Sequence, residues 1–446
     1  MPEIIKKINL LERIPTSMMK AANIFYDKVK GAGYNFYLVG GSVRDILLKR
    51  PLADLDFATD AHPEEIMRLF PRNSVPVGIQ FGTILLVFEK RGYEVTTFRN
   101  DLNYTDGRRP EIVKFSKELK EDVIRRDFTI NGLAYDFRNE ILYDYVGGLA
   151  DLENQIIRTI GNPVERFNED GLRPIRGFRF SATLGFDIEK NTLEAVKSCL
   201  QITARVAPER FYDEWRKTSR IVRKDIYWKL LQETGIFEIF MSSIGQISRI
   251  QLKNDFLFKI LKLAKNPSMG RYAAIFFFSM YIYEETDSDQ DLLEKKIKDF
   301  FAFHRFPARQ ERICRNILNS GFIKLTHPVD ISYKDFRKIM ATSDPLTVKE
   351  EIRFSINLFK VIYDMQISDK IHHLLFSYYL KLKKSREIIS IAQLPVNGHD
   401  LKNIGLAGKQ IGDCLKYLLY EIIEGESSKR EILLARAEEY LLRQEH

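Results

Sequence analysis

Over the first third of the chain, apolar residues alternate between short runs and helix-spaced stripes. "NFYLVGGSVRDILLK" (35–49) reads as a strand from Phe36 to Val39, a Gly40-Gly41 turn, and a helix capped by Ser42. "LADLDFAT" (52–59) reads as another short strand, at 54–57, followed by a helix after Pro63 and strands near 83–88 and 93–98. The polar segment "RNDLNYTDGRRPE" interrupts the rhythm as a long loop, and such loops inside compact domains are usually functional or mobile. "KELKEDVIRRDFTINGLAYDFRNEILYDYVGG" then adds a helix and two strands, completing an α/β unit near residue 148. From about residue 150 helical periodicity dominates, glycine becomes sparse and strand signals disappear. The pattern predicts an α+β chain: an α/β head (1–150), a helical neck (151–220), a helical body (221–330) and a helical tail (331–446).

Composition narrows the class. At 446 residues the chain exceeds one ordinary domain, and 45% apolar with 29% charged residues is a globular balance. The net charge of +8 favours an anionic partner such as nucleic acid. Cys199, Cys314 and Cys414 lie far apart with no C-x-x-C pair, which argues against a disulfide framework or cysteine zinc site and fits a reducing cytoplasm. The first twenty residues mix charges into their apolar positions and lack the core of a signal peptide. The longest apolar run, "AAIFFFSMYIY" (273–283), is too short for the roughly 20 residues that span a bilayer and reads as a buried helix; no membrane partner is expected.

The chemistry starts in "LADLDFAT". Asp54 and Asp56 are spaced i, i+2, so on a strand they project from one face, and two like charges repel unless something positive lies between them. Alone, D-x-D is a weak signal. The Gly-Gly-Ser turn before it offers backbone N–H groups to phosphate oxygens, Arg44 adds a charged fork, and Glu94 in "YEVTTFR" can come alongside from a neighbouring strand. Three hard oxygen ligands beside a phosphate cradle describe a two-metal Mg2+ site for nucleotidyl transfer.

"GGSVRD", "DLDFAT", "EVTTFR", "RRDFTINGLAYD", "YDYVGGLADLENQIIR" and "EDGLRPIRGFRF" follow one another in the order of the motifs of the class II tRNA nucleotidyltransferase and poly(A) polymerase family, which the chain resembles over about residues 35–220. The C-terminal "NGHDLKNIGLAGKQIGDCLKYLLYEIIEG" is similar to the tail of bacterial CCA-adding enzymes. The resemblance implies a polymerase-beta-like head, template-independent extension of RNA 3′ ends, ATP and CTP as substrates, and the tRNA acceptor arm as partner. It implies that Asp54 and Asp56 bind the catalytic metals with Glu94 as third carboxylate. It further implies that Gly41, Ser42 and Arg44 meet the triphosphate and that Arg126 and Asp127 lie near the incoming sugar and phosphates. "RVAPERFYDEWRK" looks like the family's fifth motif, with Glu209 and Arg210 bracing the nucleotide-reading helix, although a plain salt-bridged helix fits it as well.

A base could be read without a template by the fourth motif, "NEDGLRPIRGFRF". Asp170 and Arg173 stand i, i+3, a spacing that shares one helix face, and Arg176 and Arg179 continue it. An aspartate only accepts hydrogen bonds and an arginine only donates them. Cytosine and adenine both present an amino donor beside a ring-nitrogen acceptor, whereas uracil and guanine present a carbonyl beside a ring N–H, so one Asp–Arg pair accepts C and A and rejects the others. Pro174 inside a helix would clash with the carbonyl of Asp170, predicting a late helix start or a kink. The polar loop, with Asp106, Arg108 and Arg109, resembles the flexible loop that accompanies A addition in the family. "RKTSRIVRK" and "KLKKSRE" are candidate phosphate contacts or solvated faces, and "NGHD" is a helix cap or turn. The expected function is CCA addition to tRNA; the alternatives are an A-adding-only enzyme, a bacterial poly(A) polymerase, or a non-catalytic RNA-binding protein.

Overall fold

In a computed structural model, residues 4–104, 110–218, 223–241, 254–265, 268–279, 290–323, 330–363 and 365–444 are described. The chain divides into two compact units, 1–242 and 243–446.

The first unit opens with β1 (Ile4–Lys7) and α1 (Thr16–Gly31), followed by β2 (Phe36–Val39), α2 (Gly41–Leu47), β3 (Asp56–Thr59), α3 (Pro63–Leu69), β4 (Ser74–Gly78), β5 (Thr83–Phe88) and β6 (Arg91–Thr97). Next come β7 (Arg99–Tyr104), β8 (Pro110–Phe115), α4 (Leu119–Ile124), β9 (Leu133–Asp136), β10 (Ile141–Asp144) and α5 (Gly148–Glu153). Eight of these strands form one sheet in the order β1-β10-β9-β2-β3-β6-β5-β4. Its neighbours run antiparallel except β3 and β6, which are parallel. Helix α1 buries Met18, Ala21, Ala22, Phe25, Tyr26 and Val29, an i, i+3, i+4 stripe. On that stripe Phe25 meets Phe57 of β3, Phe70 and Tyr93 edge-on, with ring centroids 5.4 to 6.2 Å apart. Aromatic contacts of this geometry fix the sheet against the helix, and so fix the height of β3 and its carboxylates.

Three local readings need correction. Ser42 is not the cap of α2: Gly40 is, at φ 68° and ψ −134°, a conformation open to glycine alone, and the helix begins one residue before Ser42. The strand read at 54–57 runs from Asp56 to Thr59, so Asp54 precedes it. The polar interruption is not all loop, because β7 and β8 pair antiparallel with Leu102 opposite Ile112. Asp106, Arg108 and Arg109 lie outside the described residues.

Seven helices complete the unit: α6 (Pro163–Glu169), α7 (Arg173–Leu184), α8 (Lys190–Ser198), α9 (Leu200–Thr203), α10 (Pro208–Thr218), α11 (Lys224–Glu233) and α12 (Ile236–Met241). A short parallel pair, Ile156–Ile157 with Asp187–Ile188, is a strand signal too brief for periodicity to register. Helix α10 packs on α7, where buried Glu214 pairs with Arg179, while its buried Phe211 and Trp215 rings meet Phe240 of α12 and Trp228 of α11.

The second unit's described elements are all helical: α13 (Asn254–Leu263), α14 (Met269–Phe277), α15 (Gln290–Phe303), α16 (Ala308–Leu318), α17 (Tyr333–Thr342), α18 (Val348–Ile362), α19 (Met365–Lys384), α20 (Gly398–Asn403), α21 (Lys409–Glu424) and α22 (Arg430–Gln444). Every residue of α14 is buried, as its apolar run requires, and no described helix is long and apolar enough to cross a membrane. In "NGHD" the cap is Asn397, whose side chain accepts from the backbone of His399 and Asp400, while Asp400 pairs with Arg430.

Candidate active site

The parallel pairing of β3 and β6 sets Asp56 directly opposite Glu94. Leu55, fully buried between the two aspartates, anchors the segment in the core and leaves Asp54 exposed at its edge. Ser42, the second residue of α2, accepts a hydrogen bond from the Asp56 backbone N–H at 2.9 Å and so ties the glycine turn to the strand. All three carboxylates line one cavity of about 720 Å³. Burial, followed by repulsion from Asp54 and Glu94, pushes the Asp56 carboxyl up to about 7, although Arg126 and Arg44 pull the other way. Negative charge thus gathers at the three carboxylates, while cations line the rest of the cavity wall.

That wall carries Arg44, Arg99, Arg125, Arg126, Arg173, Arg176, Arg179 and Lys217. Each guanidinium that matters is held. Arg44 donates to Asn131 at 2.7 Å and to Asp45 at 3.0 Å. Arg126 donates to Asp122 at 2.8 Å, and Arg125 pairs with the same carboxylate. Asp122 is wholly buried; burial alone would raise it, but Arg125 and Arg126 together hold it below the usual carboxylate range. Asp127 would likewise be raised by burial, yet Arg176 at 2.8 Å and Asn131 bring it down to about 2. Gly40 keeps the turn close to this wall, since a Cβ there would stand 2.9 Å from an Arg126 nitrogen.

The base-reading segment differs from its expected form. Helix α6 ends at Glu169 with Asp170 as its C-cap, in extended backbone, and α7 begins at Arg173. Asp170 and Arg173 therefore do not share a helix face, because Pro174 is tolerated only in a first turn, where its missing N–H costs no hydrogen bond. Gly171 allows the turn, since a Cβ would meet the Ile202 carbonyl oxygen at 2.5 Å. Both side chains still line the cavity, as do Arg176 and Arg179 on successive turns of α7. Arg210 grips Asp170 with two bonds of 3.0 and 2.9 Å, and Arg173 donates to Arg166 O at 3.0 Å and Arg125 O at 3.1 Å and also to Glu169.

Of the sequence candidates, Gly41, Arg44, Asp54, Asp56, Glu94, Arg126, Asp127, Asp170, Arg173, Arg176 and Arg179 line the cavity; Ser42 supports it from behind, and Arg210 stands outside the lining and holds Asp170. Sequence reasoning missed Glu214 and Phe180. Glu214 is buried and braces Arg179, Arg176 and Lys217 from α10. The Phe180 ring lies 4.2 Å from the Arg179 guanidinium, 5.1 Å from that of Arg44 and 5.4 Å from that of Arg176. The i, i+4 spacing of Arg176 and Phe180 was the available signal.

The donor set at the carboxylates is all oxygen, the chemistry that suits a hard divalent cation. Among the described residues no group of three acidic, histidine or cysteine side chains is gathered closely enough to hold a metal ion by itself. Mg2+ keeps several waters and is usually held by one or two carboxylates together with substrate phosphates.

The description "Poly A polymerase head domain" matches residues 36–158, and "Probable RNA and SrmB- binding site of polymerase A" matches 185–246. A CCA-adding enzyme of Streptococcus gordonii is 35% identical over 427 residues, covering 93% of this chain and 95% of that protein. One of Streptococcus sanguinis is 49% identical over 254 residues, 56% of this chain and 62% of its own. The crystal structure of the Bacillus stearothermophilus CCA-adding enzyme in complex with CTP superimposes with a TM-score of 0.77 at 25% identity, covering 97% of this chain and 99% of that one.

Proposed function

The chain belongs to the CCA-adding enzymes, and from that membership we propose how its cavity adds C and A to the 3′ end of tRNA from CTP and ATP. The RNA 3′-hydroxyl gives up its proton to solvent water and its oxygen bonds to the α-phosphorus, while the bond from that phosphorus to the bridging oxygen breaks and pyrophosphate leaves. Asp54, Asp56 and Glu94 would hold Mg2+, which when bound lowers the cost of the attacking and leaving oxygens' negative charge. The observation that carries the reading is the Asp56–Glu94 pairing at the mouth of an arginine-walled cavity. Arg44 and Arg126 on that wall are prepositioned for the triphosphate, because Asn131, Asp45 and Asp122 already fix their guanidinium planes. The reaction is assigned to the cytoplasm, where tRNA is processed in bacteria.

Base choice falls to Asp170 and Arg173. A carboxylate offers roughly four acceptor sites, and Arg210 with the Leu172 N–H takes three of those on Asp170, leaving one. A guanidinium has about five N–H groups, and three on Arg173 are engaged, leaving two. An unused acceptor on Asp170 and unused donors on Arg173, both in the cavity lining, are the groups that the amino group and ring nitrogen of cytosine or adenine require.

The Phe180 ring gathers three of the wall's guanidinium groups. Phe180→Leu keeps an apolar side chain but removes the aromatic face; a cation–π contact contributes about 0.5–1 kcal/mol where water reaches it, and only part of the three contacts' sum bears on the bound nucleotide. The KM for CTP and ATP is expected to rise about tenfold with a smaller change in kcat, and Phe180→Tyr should restore it.

The experiment that tests the reaction is incorporation of labelled CTP and ATP, separately and together with Mg2+, onto tRNAs ending at the discriminator base, at C and at CC. Two C additions followed by one A are expected. Addition of A alone to the CC-ended tRNA would overturn the C half of the assignment, and long A tracts would point to a poly(A) polymerase.

A further inference from the structure

The second unit carries a concavity of a different kind, about 310 Å³ between α18 and α19. Helix α18 contributes Lys349, Ile352, Arg353 and Ile356 at i, i+3, i+4 and i+7, and α19 contributes His372, Phe376 and Tyr379 at i, i+4 and i+7. Two helices thus present matching faces to one groove. Its floor is apolar and its rim cationic. Phe376 is 52% exposed, unusual for so large an apolar ring at a concave site. The Lys383 ammonium stands 5.5 Å over the Tyr379 ring. Glu350 is the carboxylate paired with Arg353, at 3.0 Å, and it is shared with buried Arg271 at 3.4 Å, so it does not cancel the rim's charge.

We propose that the groove between α18 and α19 receives one unstacked nucleobase of the bound tRNA, its ring on Phe376 and Tyr379 and its flanking phosphates on Lys349 and Arg353. The volume is at the lower end of ligand sites, about 300 Å³. A planar base with its sugar fits that scale. Aromatic faces take any base, and lysine and arginine at the rim take the backbone, which is the pairing single-stranded RNA requires. Charge complementarity selects RNA over an apolar helix of another protein, which would strip water from Lys349 and from the Arg353–Glu350 pair and offer them nothing in exchange. The inference rests on the reading of the chain as a tRNA enzyme, and adds a site on α18 and α19 to the reaction's own cavity.

The test is the Kd of the full-length protein for a tRNA transcript and for a blunt RNA duplex with no unpaired base. Phe376→Ala is expected to weaken tRNA binding about tenfold and to leave the duplex unchanged, since stacking contributes about 1–3 kcal/mol per base. Phe376→Trp should bind tRNA within about twofold of the wild type. The double variant Lys349→Ala with Arg353→Ala should flatten the dependence of log Kd on log salt by about one to two. Unchanged tRNA affinity in Phe376→Ala, or equal weakening for the duplex, overturns the proposal. A fall in mass by light scattering in that variant, with tRNA affinity unchanged, would give the groove to a second copy of the chain. Circular dichroism of the half-exposed Phe376→Ala checks that the helices persist. CTP incorporation by the wild type, measured in parallel, separates a failure of the groove from a failure of the assigned reaction.

Discussion

Asp56→Asn is expected to lower nucleotide incorporation by about a thousandfold or more while tRNA affinity is retained. Charge stabilisation by a metal at a reacting phosphate contributes several kcal/mol, and each ~1.4 kcal/mol is a factor of ten in rate. The substitution keeps the side chain's size and removes its charge, so the Ser42 bond to the backbone N–H at 2.9 Å survives. Loss of fold is not the cause to expect, and the sign of the pH dependence says why. Burial and the neighbouring Asp54 and Glu94 raise Asp56 from 3.8 to about 7, so the folded chain holds this proton where the unfolded chain has released it. Without divalent cation, that term favours folding below about pH 4, and the advantage is lost as pH rises to about 7. Asp56→Asn removes the ionisation cost and should melt at or above the wild type at pH 8. Added Mg2+ should raise the melting temperature of the wild type and leave that of the variant unmoved. Retained turnover, or an equal Mg2+ shift in both proteins, would sink the assignment of Asp56 to the metal.

How much of this was written in the chain differs from residue to residue. Asp56 and Glu94 were legible together as residues of two strands that could lie side by side, as β3 and β6 do, whereas the period of two read for Asp54 and Asp56 does not apply, because Asp54 precedes β3. The late start of α7 was also legible, since Pro174 carries its constraint wherever it stands. The face shared by Asp170 and Arg173 failed for the same reason: spacing means a common face only inside one helix. Glu214 was not legible, because it works across elements far apart in sequence, from α10 to α7; for Phe180 only the i, i+4 spacing with Arg176 carried a signal, and its contact with Arg44 of α2 did not. The pairing of β7 with β8 was hidden by polar side chains that carry little alternation.

Asp170→Ala is expected to reduce the preference for CTP and ATP over UTP and GTP by at least about a hundredfold in kcat/KM, with some incorporation surviving. A site built on hydrogen bonds rejects a base that mismatches it because buried polar groups are then left unpaired, and such sites reach discrimination of about 10⁴ or more. Removing one of two reading groups should remove a large part of that. The loss has two sources that can be separated. Without Asp170 there is no acceptor for the amino group, and Arg210 loses both bonds that hold it, at 2.9 and 3.0 Å. Arg210→Ala leaves the acceptor in place and removes only its support, so discrimination should fall less and the KM for CTP should rise. If the two variants lose discrimination equally, Asp170 acts by placing the turn before α7. If Asp170→Ala still rejects UTP and GTP as the wild type does, the base is read elsewhere on the cavity wall.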